Sequence, residues 1–196
     1  FRRLNLTDFN LNDQEKRNSI SGDFAALARD LSEEPIWDKK HLFNNTDIKR
    51  MKDVEFCGTL ILLYRQGIID QTDQKPLNQA YEDLQSGYNE AETDKEHICQ
   101  AITELEKFID EDDILKFVKR RAQLYTLFSV IFYMQREKIE INDLHVKRLN
   151  DFVKLYSVFD NDLDMDGKLN EKEKNLYDML KKYKLASSEG LNKHTN

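Results

Sequence analysis

An all-α protein, an irregular bundle of about seven to nine helices, is what this sequence predicts. The first observation is scarcity of turn residues: 6 Gly and 2 Pro in 196 residues, too few for the repeated tight reversals of a sandwich or barrel. The second is periodicity, since apolar residues recur at three- and four-residue spacing in segment after segment. The third is composition. With 39% hydrophobic and 34% charged residues and 20 aromatics, the chain has material for a core under a strongly solvated surface.

A first helix is expected over 10–20, where Asn12 is placed to cap and Glu15 to reach back to it. Phe24, Leu27, Ala28 and Leu31 define one face of a second over 23–31, which Glu34-Pro35 ends. Thr46 or Asp47 is then read as the cap of a long helix to Gln66, stopped by Gly67. A polar connection over 71–76 leads into a helix from Leu77 to Leu84, broken near Ser86-Gly87. From Thr93 the stripe Ile98, Ala101, Ile102, Leu105, Phe108 and Ile109 is the cleanest in the sequence. The acids Asp110 to Asp113 favour a new helix start through the macrodipole, and that helix is expected to run on to Arg136. Its segment from Leu124 to Met134 is apolar nearly all round and is assigned to the centre of the core, with Phe128, Phe132 and Tyr133 inside. Asn142-Asp143 starts the next helix, with Leu149, Phe152, Val153 and Tyr156 inward. A final helix covers 171–183. One helical domain over 1–186 is expected, with 187–196 as a tail or linker.

A net charge of −7 argues against a DNA-binding module that works by bulk electrostatics. The longest apolar runs, 56–64 and 124–134, are too short to span a bilayer. Cys57 and Cys99 lie in apolar helical patterns and not in a C-x-x-C pair, so they read as buried free thiols of a reducing, cytoplasmic compartment. His41, His97, His145 and His194 fit neither zinc-ligand nor triad spacing. Lys119-Arg120-Arg121 and Lys147-Arg148 fall on polar faces, where a solvated surface is the simpler reading. Because the sequence begins at Phe1 and not at Met, it is expected to be a fragment or a processed product.

The opening run Phe1-Arg2-Arg3-Leu4-Asn5, followed by Leu11-Asn12-Asp13-Gln14-Glu15-Lys16-Arg17-Asn18, resembles a recurrent block of the bacterial GmrSD-type family, in which F-x-R-L-N leads into L-x-x-Q-E-x-R-N. Arg50 to Glu55 is similar to the head of a long helix in that family's helical half. Where the family has a small Gly-containing segment after R-L-N, this chain has Leu6-Thr7-Asp8-Phe9. The resemblance implies a defence protein that restricts phage DNA, built from an N-terminal ParB-like domain with a D-G-Q-Q-R motif that acts on nucleotide, a helical region, and often a nuclease domain. This chain holds no D-G-Q-Q-R run, so it would be the helical, non-catalytic part. The ParB-like domain would be its partner, and any nucleotide or DNA would be reached through the parent protein. Arg3, Asn5, Gln14, Arg17 and Asn18 supply donors and amides beside one helix terminus, and are the candidates for contacts to that domain or to an anionic ligand. The plain alternative is helix capping and surface pairing.

A second motif lies near the C-terminus. Asp162, Asp164 and Asp166 alternate ahead of Gly167, followed by Lys168, Asn170 and Glu173, the spacing of the twelve-residue EF-hand calcium loop. Calcium takes six to eight oxygens, so carboxylates must alternate along a sharply turning backbone. Here the three Asp, the Lys168 carbonyl, Asn170 through water and a bidentate Glu173 would supply them. The flanks fit less well, because Asn161 precedes the loop and Phe159 is out of phase with the apolar positions an entering helix uses. The competing reading is an acidic, solvated turn.

Overall fold

The computed structural model describes residues 14, 17, 20–70, 73–159 and 171–189. Among these every regular element is a helix, with no strand. The segments are α1 (Asp23–Ser32), α2 (Pro35–Lys39), α3 (Asn45–Lys49), α4 (Lys52–Gln66), α5 (Lys75–Asp83), α6 (Ala91–Ile109), α7 (Asp112–Val118), α8 (Arg121–Arg136), α9 (Asp143–Val158) and α10 (Glu171–Glu189). Two compact units divide the chain, residues 1–102 and 103–196, where the sequence reading has one domain over 1–186.

In the first unit α1 packs on α4, and both meet α5. Phe24, Leu27, Ala28 and Leu31 are buried as their spacing requires, opposite Cys57, Leu60, Ile61 and Leu63 of α4. Trp37 of α2 forms edge-to-face pairs with Phe43 and Phe56 at centroid distances of 5.6 and 6.2 Å, a geometry that aligns ring edges with ring faces. Its indole N–H donates to the Leu31 carbonyl at 2.7 Å, so the ring is buried without an orphaned donor.

Two helix ends cap one another. The backbone N–H groups of Asp23 and Phe24, orphans at the start of α1, donate to the carbonyls of Gln85 and Leu84 beyond α5. The Asp23 carboxylate in turn accepts from the N–H groups of Gly87 and Tyr88, both at 3.2 Å. The approach is close enough that a Cβ on Gly22 would stand 2.5 Å from the Gln85 carbonyl oxygen.

Two expected long helices are each broken. The one read as running to Gln66 is divided at Met51, which takes a left-handed conformation (φ 54). Its cap is Asn44, whose side chain accepts from Thr46 and Asp47 while Asp47 returns the bond. Residues of α3 bury nothing, so no packing holds that turn in line with α4. The one read as running from the acidic cluster to Arg136 is divided at Arg120, which is extended (ψ 122). Ile114 and Val118 bury one face of α7, and Leu124, Phe128 and Ile131 the core of α8. A straight helix would carry three successive cations, 119–121, between those two faces.

In the second unit α7 packs on α8 and α9. The core includes Leu124, Tyr125, Phe128, Ile131 and Phe132, whereas Val130 and Tyr133 are 45% and 59% exposed. Tyr133 is therefore a surface residue and not part of the expected core cluster. Asn142 caps α9 with His145 as its reciprocal partner. α9 and α10 run antiparallel along an aromatic seam: Phe152 meets Tyr183 at 5.1 Å and Phe159 meets Tyr177 at 5.0 Å. α10 continues to Glu189, six residues past the expected Tyr183. Among the described residues no helix is long and apolar enough to cross a membrane.

Candidate functional site

Of the opening-block residues, Gln14 and Arg17 are described, and both are buried against α5 in the first unit. Gln14 Nε2 donates to the Tyr81 hydroxyl at 2.9 Å. Arg17 Nε donates to Asn78 Oδ1 at 2.7 Å, Nη1 to Gln14 Oε1 at 3.0 Å and Nη2 to Gln74 Oε1 at 2.5 Å. A guanidinium offers its donors in a fixed fork, and here three amide oxygens meet it. Burial holds the Tyr81 hydroxyl above its ordinary pKa, an effect that the Gln14 bond opposes. These side chains are thus joined to the unit they open. Arg3, Asn5 and Asn18 lie outside the described residues.

A second polar cluster ties α4 to the start of α6. Asp94, buried, accepts from the Tyr88 hydroxyl at 2.5 Å and from Arg65 Nη1 at 2.8 Å. The Arg65 guanidinium lies 5.0 Å from the Tyr88 ring centroid, and Glu90 stands 3.7 Å from it. Burial, then the bond to the Asp94 carboxylate, drives the Tyr88 phenol far up. Such a phenol stays protonated at any physiological pH and acts as a donor, so the cluster is a buried clasp.

The thiols are less alike than the sequence implies. Cys57 is fully buried, and burial raises its pKa well above that of a free thiol. Cys99 is half-buried and donates to Glu34 Oε1 at 3.5 Å, and burial followed by the Glu34 charge raises it to about 11. Both stay as thiols at neutral pH, and a thiol is a poor nucleophile. His97 stacks on Tyr64 with Nδ1 on the Thr93 carbonyl, and His145 uses Nδ1 in the α9 cap. Among the described residues no group of three His, Cys, Asp or Glu side chains is disposed to hold a metal ion.

Concavities of different character lie in the second unit. One is an almost wholly apolar cavity of about 280 Å³, walled by Phe117, Leu127, Val130, Met134, Leu149 and Phe152. At its edge Gln123, buried, accepts from the Tyr183 hydroxyl, and burial raises that phenol to about 12. The other is a cleft of about 440 Å³ between α7, α9 and α10. Lys116, Arg120, Lys154 and Lys184 line it, with Asp113 as the one acid among the described residues and Phe117, Tyr156 and Ser157 on its wall. Lys154 stands 3.9 Å from Asp113, and Lys184 donates to the Phe159 carbonyl while its ammonium lies 5.3 Å from that ring's centroid.

Sequence reasoning singled out Arg120 and assigned it to a solvated face. Its convergence with Lys116, Lys154 and Lys184 has no local signature, because these cations are spread over α7, the start of α8, α9 and α10. Arg148, by contrast, is exposed and lines the rim of the apolar cavity. The acidic-loop candidates Asp162, Asp164, Asp166, Lys168 and Asn170 lie outside the described residues, as does the side chain of Glu173. Compared with known protein families, curated proteins and solved structures, the chain matches none.

Proposed function

We propose that this chain is the non-catalytic helical domain of a GmrSD-like bacterial defence protein, supporting a nucleotide-dependent ParB-like domain of the same polypeptide. The observation that carries the reading is the opening block, F-R-R-L-N leading into L-N-D-Q-E-K-R-N. Gln14 and Arg17 of that block are bonded into α5, so these two side chains take part in the packing of the first unit. DNA would be met through the parent protein. The coding sequence upstream of Phe1 is the test. A D-G-Q-Q-R-bearing ParB-like domain there is the expected result, and an open reading frame without one overturns the reading.

A calcium-binding interaction module is the second reading. It is favoured by the spacing of Asp162, Asp164, Asp166, Gly167, Asn170 and Glu173 in a segment that joins two packed helices, the second of which begins at Glu171. A ligand that binds only the native state stabilises it by RT ln(1 + [L]/Kd), about 2.7 kcal/mol at a hundredfold excess over Kd. Millimolar calcium should therefore raise the melting temperature, and Asp162→Ala should abolish the rise. No shift in the unmodified chain excludes the module.

A further inference from the structure

We propose that the cleft between α7, α9 and α10 binds a small polyphosphate anion through Lys116, Arg120 and Lys154. The protein has a net charge of −7, yet four cations from separate helical elements face one 440 Å³ concavity that, among the described residues, holds a single carboxylate. Cations crowded together repel one another, and an exposed Lys or Arg is free to point elsewhere, so their convergence costs energy unless an anion offsets it. Among the described residues Lys116 and Arg120 have no ion-pair partner. Lys154 has only the 3.9 Å approach to Asp113, both side chains being about half exposed.

Arg120 adds an independent observation. It is the N-cap of α8, a sixteen-residue helix with no side-chain cap and no acid in its first turn. Helix starts ordinarily carry acids, because the macrodipole is positive there. Here the dipole end and the arginine have the same sign, so both add positive potential at the cleft. Arginine can meet a phosphate with two parallel N–H bonds, and lysine meets it as a point charge. The cleft volume falls in the range of small-ligand sites, and several linked phosphates match several separated cations better than one phosphate does. Tyr156 and Phe117, edge-to-face at 5.4 Å, form a wall on which a planar ring could rest.

Titration calorimetry of the full 196-residue chain with tripolyphosphate, ATP and adenosine, at about 0.15 M salt where loose surface attraction is screened, tests this. Tripolyphosphate and ATP should bind and adenosine should not. The double variant Lys116→Ala/Arg120→Ala, at exposed positions, should weaken both by tenfold or more, since hydrogen bonds to charged groups are among the strong ones. Lys147→Ala/Arg148→Ala removes the same charge from α9 outside the cleft and should change affinity less than about twofold. ATP binding more tightly than tripolyphosphate identifies a nucleotide ligand, and the reverse order identifies free polyphosphate. No tripolyphosphate binding, equal loss in the two double variants, or a single-stranded oligonucleotide of about 12 nucleotides binding far more tightly through the same residues each overturns the proposal.

Discussion

At Gly22 the need for glycine is steric. The backbone of Gln85 passes so close that any Cβ would lie 2.5 Å from its carbonyl oxygen and 2.7 Å from its Cα. Neither atom belongs to a flexible side chain that can turn aside. Gly22→Ala should therefore destabilise the first unit by about 1–3 kcal/mol, the usual cost of overpacking, read as a lower urea midpoint. Arg17 presents the opposite case, a buried cation whose donors are met by Gln14, Gln74 and Asn78. Arg17→Ala leaves three amide oxygens short of a donor and opens a cavity, and a loss of about 2–4 kcal/mol in equilibrium unfolding is expected. Of the opening-block candidates, then, the structure accounts for Gln14 and Arg17 by packing. Sequence could mark them as unusual polar residues at a helix start, but it could not show that Tyr81 and Asn78, more than sixty positions away, would receive them.

Among the elements, most helices follow directly from apolar spacing. α1, α5, α6 and α9 lie close to where their stripes put them, and Gly67 stops α4 with φ 83, a conformation that suits glycine. The two breaks, at Met51 and Arg120, escaped because helical periodicity continues through them. A break is decided by whether the two halves have a common surface to bury, and that is a property of the packed unit. The cap at Asn142 was legible, since Asn-Asp before an apolar repeat is a local signal. Asn142→Ala should cost about 1 kcal/mol and show as faster amide exchange in the first turn of α9, with the first unit unaffected.

For the whole molecule, the buried acids that stay protonated set the response to alkali. Tyr81, Tyr88 and Tyr183 are all raised above the ordinary tyrosine value, and Cys57 and Cys99 above the thiol value. In each the folded form holds its proton at a pH where the unfolded chain has released it. The native state then binds more protons than the unfolded one, so stability falls as pH rises. The contribution of each group is whole below its unfolded value, near 9 for the thiols and near 10 for the phenols, and drains away as pH climbs toward the folded one. Denaturant melts should give stability falling from about pH 9 and more steeply above about pH 10. Tyr183→Phe should flatten part of the fall between about pH 10 and 12, the interval between the ordinary phenol value and that of the folded Tyr183.

By itself the sequence determined that this protein is helical, which face of most helices is buried, and which residues begin and end several of them. Those properties depend on neighbours within four or five positions, and local spacing carries them. It also displayed two motifs, the opening block and the acidic loop, whose chemistry is written in consecutive residues. Only the tertiary structure decided that the chain packs as two units, that Tyr133 faces water, and that Lys116, Arg120, Lys154 and Lys184 share one cleft. Each of these depends on where separate helices come to rest against one another, and that is set by the summed burial of many side chains whose pairing no local pattern encodes.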